Sequence, residues 1–183
     1  MTGAEPTFER VGEHVRFEGR FIQVATVSVR TPDGSVVDRD VVHHPGAVGV
    51  VPLHDDRSVT LVRQYRAPID RWLLEIPAGL RDLAGEDPSH TGARELAEEV
   101  GLVADTLDLL CVFDNSAGFS DESVHVYLAT GLHGVPSAVH GVEEEHLVVE
   151  RLPLEQALGL VREGAITDAK TMIGLLLTDQ TTS

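Results

Sequence analysis

Leu80 to Leu102 reads LRDLAGEDPSHTGARELAEEVGL, and the chemistry of the chain is concentrated there. Ser89 to Gly101 has helical period, with Ser89 or Pro88 opening the turn and Gly101 closing it as a C′ glycine. At about 100° per residue, Ala93, Leu96, Ala97 and Val100 share one side, which is expected to pack on a sheet. Glu95, Glu98 and Glu99 are expected on the opposite side, within about one third of a turn. Glu95 with Glu98 is an i,i+3 pair and Glu95 with Glu99 an i,i+4 pair, each like-charge contact costing a few tenths of a kcal/mol. Arg94 offsets part of this through Glu98, four residues on. Two readings of the face are open: a solvated acidic surface, or a site for a hard divalent cation. Mg2+ takes one or two carboxylates and completes its shell with water and substrate phosphate.

The flanks supply the scaffold. From Val11 to His44 the pattern alternates through Val15, Phe17, Phe21, Gln23, Ala25, Val27 and Val29, with a Thr31-Pro-Asp-Gly34 turn before Val36-Val37 and Val41-Val42. It predicts an antiparallel hairpin or meander. Ala47 to Leu53 and Ser58 to Tyr65 are continuous apolar runs about a His54-to-Arg57 turn, as expected of central strands covered on both faces. Trp72 to Ile76 is a short strand ending at Pro77-Ala-Gly79. Thr106 to Val112, Ser123 to Thr130 and His146 to Glu150 are strand-like, and Pro153 to Glu163 and Thr167 to Asp179 helical. The whole predicts an α/β (α+β) sandwich, a mixed β-sheet between helices, preceded by a small N-terminal antiparallel sheet.

Composition narrows the function classes. The 183 residues, 42% hydrophobic and 24% charged, suit one globular domain with at most a small appendage. Lys plus Arg is 14 and Asp plus Glu is 30, a formal charge of −16. That argues against nucleic acid and anionic membrane as partners, though an anionic substrate is admissible where a cation bridges it. One cysteine, Cys111, allows no intrachain disulfide or multi-cysteine zinc site, and its apolar strand suits an inert thiol. The nine histidines include no His-Glu-x-x-His helix, and the adjacent His43 and His44 are expected on opposite faces of a strand. There is no Gly-x-Ser-x-Gly and no P-loop. No apolar run reaches the ~18 residues of a spanning helix and the N-terminus is polar, so a soluble cytoplasmic protein is expected.

The acidic helix resembles the box of the Nudix hydrolase family. Glu86 is followed by seven residues and then Arg94-Glu95-Leu96-Ala97-Glu98-Glu99-Val100-Gly101-Leu102, and every defined position from Glu86 onward fits. The family's opening glycine would fall at position 80, which is Leu80; the glycine stands one place earlier, at Gly79. The resemblance implies Glu95 and Glu99 as metal ligands, Glu98 as ligand to a further ion or an ordered water, and Arg94 as the residue orienting the box glutamates. Glu86 would brace the loop, and the main-chain carbonyl of Ala78 would complete the metal site.

Other segments are similar to the ADP-ribose pyrophosphatase branch: His44 to Leu53, Val62 to Pro68, Leu74 to Gly79, Gly118 to Glu122, and Gly164 to Lys170. Where the branch often has a proline before Gly118, this chain has Ala117. The resemblance implies that Arg66 grips substrate phosphate, a task suited to a guanidinium fork. Arg39 and Phe21 stand where the branch places adenosine contacts; alternation alone leaves Phe21 equally a core residue. Glu75 is either substrate-facing or bracing. On the Val142-Glu-Glu-Glu-His146 loop, Glu144 is the implied general base, with Glu145 and Glu143 as alternatives.

By that resemblance the protein hydrolyses ADP-ribose to AMP and ribose 5-phosphate with Mg2+, Mn2+ being a possible substitute. The alternatives are another nucleoside diphosphate sugar or a dinucleotide as substrate, and a catalytically silent nucleotide-sensing module. Residues 1–44 would form a dimerisation meander and 45–183 the hydrolase domain, giving a homodimer.

Overall fold

The computed structural model describes residues 5–83, 85–136 and 146–182. The chain forms two compact units. One takes the residues up to Gly46 together with Asp114–Ser123; the other takes Ala47–Phe113 and the residues from Val124 onward.

The first unit is a meander of β1 (Glu9–Glu18), β2 (Gln23–Arg30) and β3 (Val36–His43), in that spatial order and antiparallel throughout. Alternation is read directly in β2, where Ala25 and Val27 are buried and their neighbours are not. Gly34, at φ 88°, makes the turn between β2 and β3, and its N–H donates to Thr31 O at 2.9 Å. Segment 114–123 joins this unit through β3: Val42 N–H donates to Phe119 O at 2.7 Å, and the Asp121 carboxylate meets His43 Nδ1 at 2.5 Å.

The second unit carries two sheets. One has the order β7-β4-β9-β8, made from β7 (Ala78–Leu80), β4 (Ala47–Pro52), β9 (Ser123–Gly134) and β8 (Leu102–Asp114). β4 runs parallel to β9 and antiparallel to β7, so the sheet is mixed. The other has the order β10-β5-β6, from β10 (Val148–Pro153), β5 (Ser58–Arg66) and β6 (Arg71–Glu75). The helices are α1 (Pro88–Val100), α2 (Leu154–Arg162) and α3 (Ala169–Thr182).

β4 shows why the unit needs helices on both faces. Val48 and Val50 join Leu96 of α1 and Tyr127 and Ala129 of β9 in one buried cluster. Val51 belongs to a second, larger cluster with Leu61, Ile76, Val126, Leu158 and Leu175. Successive side chains of the strand thus feed opposite cores, which is why its sequence is apolar without alternation. This is the expected mixed sheet between helices. Among the described residues no helix is long and apolar enough to cross a membrane.

Three expectations are corrected. Ala78 to Leu80, where the pattern placed only the stop of the Trp72–Ile76 strand, forms a separate strand, β7, which pairs Gly79 with Val48. β10 and α2 begin at Val148 and Leu154, later than the pattern placed them. Within α1 the buried residues are Thr91, Gly92, Glu95, Leu96 and Glu99, while Ala93 is exposed. Gly92 rotates the helix this way: a Cβ there would stand 3.1 Å from Val48 and 3.2 Å from Val50, so its bare backbone lies against β4.

The same close approach occurs at α3. A Cβ on Gly174 would meet Val51 Cγ2 at 2.8 Å and Val126 Cγ1 at 3.2 Å. In an ordinary helix interior Gly→Ala gains about 1 kcal/mol. Here overpacking against two buried valines outweighs it, so Gly174→Ala should destabilise the protein, within the usual range of about 1–3 kcal/mol. Urea unfolding checks this; an unchanged or raised midpoint would contradict the tight helix–strand contact.

Candidate active site

The site is built where β7 passes beneath α1. Asp87 caps the helix, its carboxylate accepting the Ser89 N–H at 2.9 Å, and Pro88 sits where its missing N–H costs nothing. Gly101, at φ 63°, ends it and donates to Ala97 O at 3.1 Å. Between these caps, Glu95 and Glu99 stand one turn apart and are only 8% and 7% exposed. They do not lie opposite the packed side, as the helical wheel predicted, but within it.

Gly79 makes room for them. A Cβ at that position would fall 2.1 Å from both Cδ and Oε1 of Glu95. The glycine that stands one place earlier than the family pattern is therefore the one the Glu95 carboxylate needs. Ala78 N–H donates to Glu99 Oε2 at 3.0 Å, so the backbone of β7 reaches both carboxylates.

Arg94 binds the rest together. Its Nη1 donates to Glu95 Oε1 at 2.7 Å and to Glu98 Oε2 at 3.2 Å, the expected i,i+4 contact. Its Nη2 lies 3.7 Å from Glu86 Oε2, which also accepts the Thr91 hydroxyl at 2.7 Å. Burial works against the charge on Arg94, but the carboxylates of Glu95, Glu98 and Glu86 hold its pKa above the ordinary value.

On the β5–β6 pair, Arg66 and Glu75 share one sheet face. Arg66 donates to Glu75 through Nε at 2.7 Å and through Nη2 at 2.6 Å, a two-pronged contact. The Glu75 side chain is 1% exposed and that of Arg66 is 34% exposed. Burial pushes the Glu75 carboxyl up; the hydrogen bonds from Arg66 and the charge of Lys170 outweigh it and leave the pKa below the usual range. Lys170 donates to Glu75 Oε2 and, at 3.0 Å, to Asp168 Oδ1. Nothing in the sequence pattern had singled out Asp168 or Lys170 for this cluster.

The remaining candidates are elsewhere. Arg39, on β3, is exposed and donates to Asp38 O at 2.8 Å. Phe21 is 51% exposed, which corrects the core alternative, and its ring meets His44 edge-on at 5.8 Å. Glu143, Glu144 and Glu145 lie outside the described residues. Cys111 is packed against the larger core, and burial pushes its thiol up, away from nucleophilic use.

The donor set fits a hard divalent cation: two buried carboxylates one helical turn apart, with Glu95 lying where a Cβ on residue 79 would displace it. Among the described residues, no three His, Cys, Asp or Glu side chains converge as a complete cage. A cation that keeps water and substrate phosphate in its shell needs only one or two.

Comparison with known proteins bears on the family and the fold. The family model described as NUDIX domain matches residues 43–174. An ADP-ribose pyrophosphatase of Mycobacterium tuberculosis is 43% identical over 175 residues, covering 94% of this chain and 84% of that protein. An ADP-ribose pyrophosphatase of Bacillus subtilis is 40% identical over 155 residues, covering 85% and 83%. Among solved structures, an ADP compounds hydrolase superposes with a TM-score of 0.81 over 99% of this chain and 96% of its own. At 24% sequence identity, that similarity speaks for the fold.

Gly79→Ala should displace Glu95 from its cradle without disturbing either core. Affinity for Mn2+, read by calorimetric titration, should fall about 10–100-fold, the usual effect of disturbing a ligand's support. The unfolding midpoint should barely move. Unchanged Mn2+ affinity would mean that Glu95 does not ligate from this position.

Proposed function

The chain belongs to the NUDIX domain family of pyrophosphohydrolases, and on that premise we propose that it hydrolyses the pyrophosphate bond of ADP-ribose to AMP and ribose 5-phosphate. The observation that carries the reading is the buried Glu95–Glu99 pair against Gly79, with the cationic Arg66 in the same compact unit. The names of the 43% and 40% identical relatives support ADP-ribose as substrate. The cation is Mg2+, with Mn2+ able to replace it.

Each residue has a task. Glu95 and Glu99 hold the divalent cation, with the Ala78 carbonyl beside them and Glu98 serving a further ion or an ordered water. When bound, the metal neutralises the diphosphate and lowers the pKa of a coordinated water. Arg94 keeps the glutamates oriented by donating to Glu95 and Glu98. Arg66 grips substrate phosphate, with Glu75 fixing its guanidinium from beneath. Glu144 accepts the proton of the attacking water as general base, with Glu145 and Glu143 as alternatives. Phe21 and Arg39 serve as adenosine contacts supplied from a second copy of the chain.

Residues 1–44 form a dimerisation element in this reading, and 45–183 the hydrolase domain. The exposed apolar side chains of Val11, Val15 and Phe17 on β1 support it, since such a surface on one small sheet suits burial against a second copy. The protein would then act as a homodimer in the cytoplasm.

Glu99→Gln preserves shape and removes one charge. AMP release from ADP-ribose with Mg2+ should fall at least about a hundredfold, since a lost metal contact is worth several kcal/mol in the transition state and each 1.36 kcal/mol is tenfold. Chelation with EDTA should abolish turnover and added Mg2+ restore it. Wild-type turnover by the variant would reject the metal assignment, and faster release from another nucleoside diphosphate sugar would reassign the substrate.

A further inference from the structure

Lys170 lies in the first turn of α3, where the positive end of the helix dipole disfavours a cation. A lysine so placed ordinarily extends its ammonium into water. This one turns inward: its side chain is 13% exposed and its ammonium contacts Glu75 Oε2 and Asp168 Oδ1. Asp168 is itself fixed, because its other oxygen accepts the Thr171 N–H at 2.9 Å and the Thr171 hydroxyl at 2.6 Å. Thr171 Oγ1 in turn accepts the Ile76 N–H at 2.8 Å. The end of β6 is thus tied to the start of α3 twice, through the main chain at Ile76 and through the carboxylate of Glu75.

The second tie has an electrostatic consequence. Glu75 carries one negative charge and meets two cations. With Arg66 alone, the guanidinium charge would be spent on a carboxylate buried beneath it. With Lys170 sharing that carboxylate, the Arg66–Glu75–Lys170 group keeps a positive excess before Asp168 is counted. Arg66 uses only Nε and Nη2 on Glu75, leaving Nη1 out of the fork, and it is the most exposed member of the group. Asp168 balances Lys170 at the far side, so the four groups together are neutral and Arg66 is the member whose guanidinium is turned outward.

We propose that Lys170 is a positioning residue for the substrate diphosphate: by sharing Glu75 with Arg66 it holds the carboxylate beneath the guanidinium and leaves Arg66 oriented and cationic toward phosphate oxygens. This rests on the reading of the site as one for a pyrophosphate-containing substrate. A lysine with a packing role alone would affect stability and leave Arg66 untouched.

The test compares wild type, Lys170→Met and Lys170→Arg, each alone and combined with Arg66→Gln. Affinity for inorganic pyrophosphate with Mg2+ is read by calorimetry, KM and kcat for ADP-ribose by AMP release, and the thermal midpoint alongside. Lys170→Met should weaken pyrophosphate binding and raise KM about tenfold, the lower end of what orienting partners contribute, with a smaller change in kcat. Lys170→Arg should restore most of both. In the Arg66→Gln background Lys170→Met should have no further effect, because the two act through one carboxylate. Lys170→Gln takes the place of Lys170→Met if the latter fails to fold. Wild-type affinity and KM in the methionine variant would overturn the proposal. So would a loss independent of Arg66, a loss that follows the thermal midpoint without rescue by arginine, or no pyrophosphate binding by wild type. If wild type leaves ADP-ribose intact yet binds pyrophosphate through Arg66 and Lys170, the substrate reading fails and the role of Lys170 stands. The opposite pattern removes only Lys170.

Discussion

Two carboxylates buried one helical turn apart set the terms for the rest of the site. Removing Glu95 and Glu99 from water raises the cost of keeping both charged, and their proximity adds repulsion. The chain answers with what its local structure can offer: the Ala78 N–H, the guanidinium of Arg94 and the space left by Gly79. A divalent cation is the further answer that the donor chemistry invites. The short strand β7 is then the floor of the proposed metal site, and it is held by its pairing with β4.

The same electrostatic problem recurs at Glu75, solved differently. There the burial is nearly complete and the compensation entirely organic: one guanidinium, one ammonium and the geometry of the α3 N-terminus. A chain with a formal charge of −16 must still admit an anionic substrate. Arg66 and Lys170 meet at the Glu75 carboxylate, with Asp168 balancing Lys170, and this fixes the Arg66 guanidinium in place. Helix α3 contributes to both tasks, since Gly174 and Leu175 serve the larger core while Lys170 serves the site.

Individual residues show where pattern reading succeeds. β4 and β5 were legible because continuous apolar runs of strand length are what a sheet covered on both faces requires. The box from Glu86 to Leu102 was legible because its residue types recur at spacings that a helix converts into neighbours. β7 was not, because three residues ending in Leu80 carry no periodicity, and their strand character comes from Val48 and Gly49 alongside. Phe21 was ambiguous for a similar reason: alternation says which side of a strand a residue faces, not whether anything covers that side.

The order of carboxylates, arginine and glycines along the chain determined by itself the family, the capped helix and the i,i+4 contact of Arg94 with Glu98. Those properties depend on spacing over a few residues, and backbone geometry translates spacing into position. Which face of the helix would be buried was decided only in the tertiary structure, by the close approach of Gly92 to β4 and of Gly79 to Glu95. So was the union of Arg66, Glu75 and Lys170, in which Glu75 and Lys170 stand 95 residues apart. A helical wheel ranks faces by polarity, whereas packing ranks them by which backbone can come closest. Here the closest backbone was the one lined with glycine, and it drew the acidic side chains in with it.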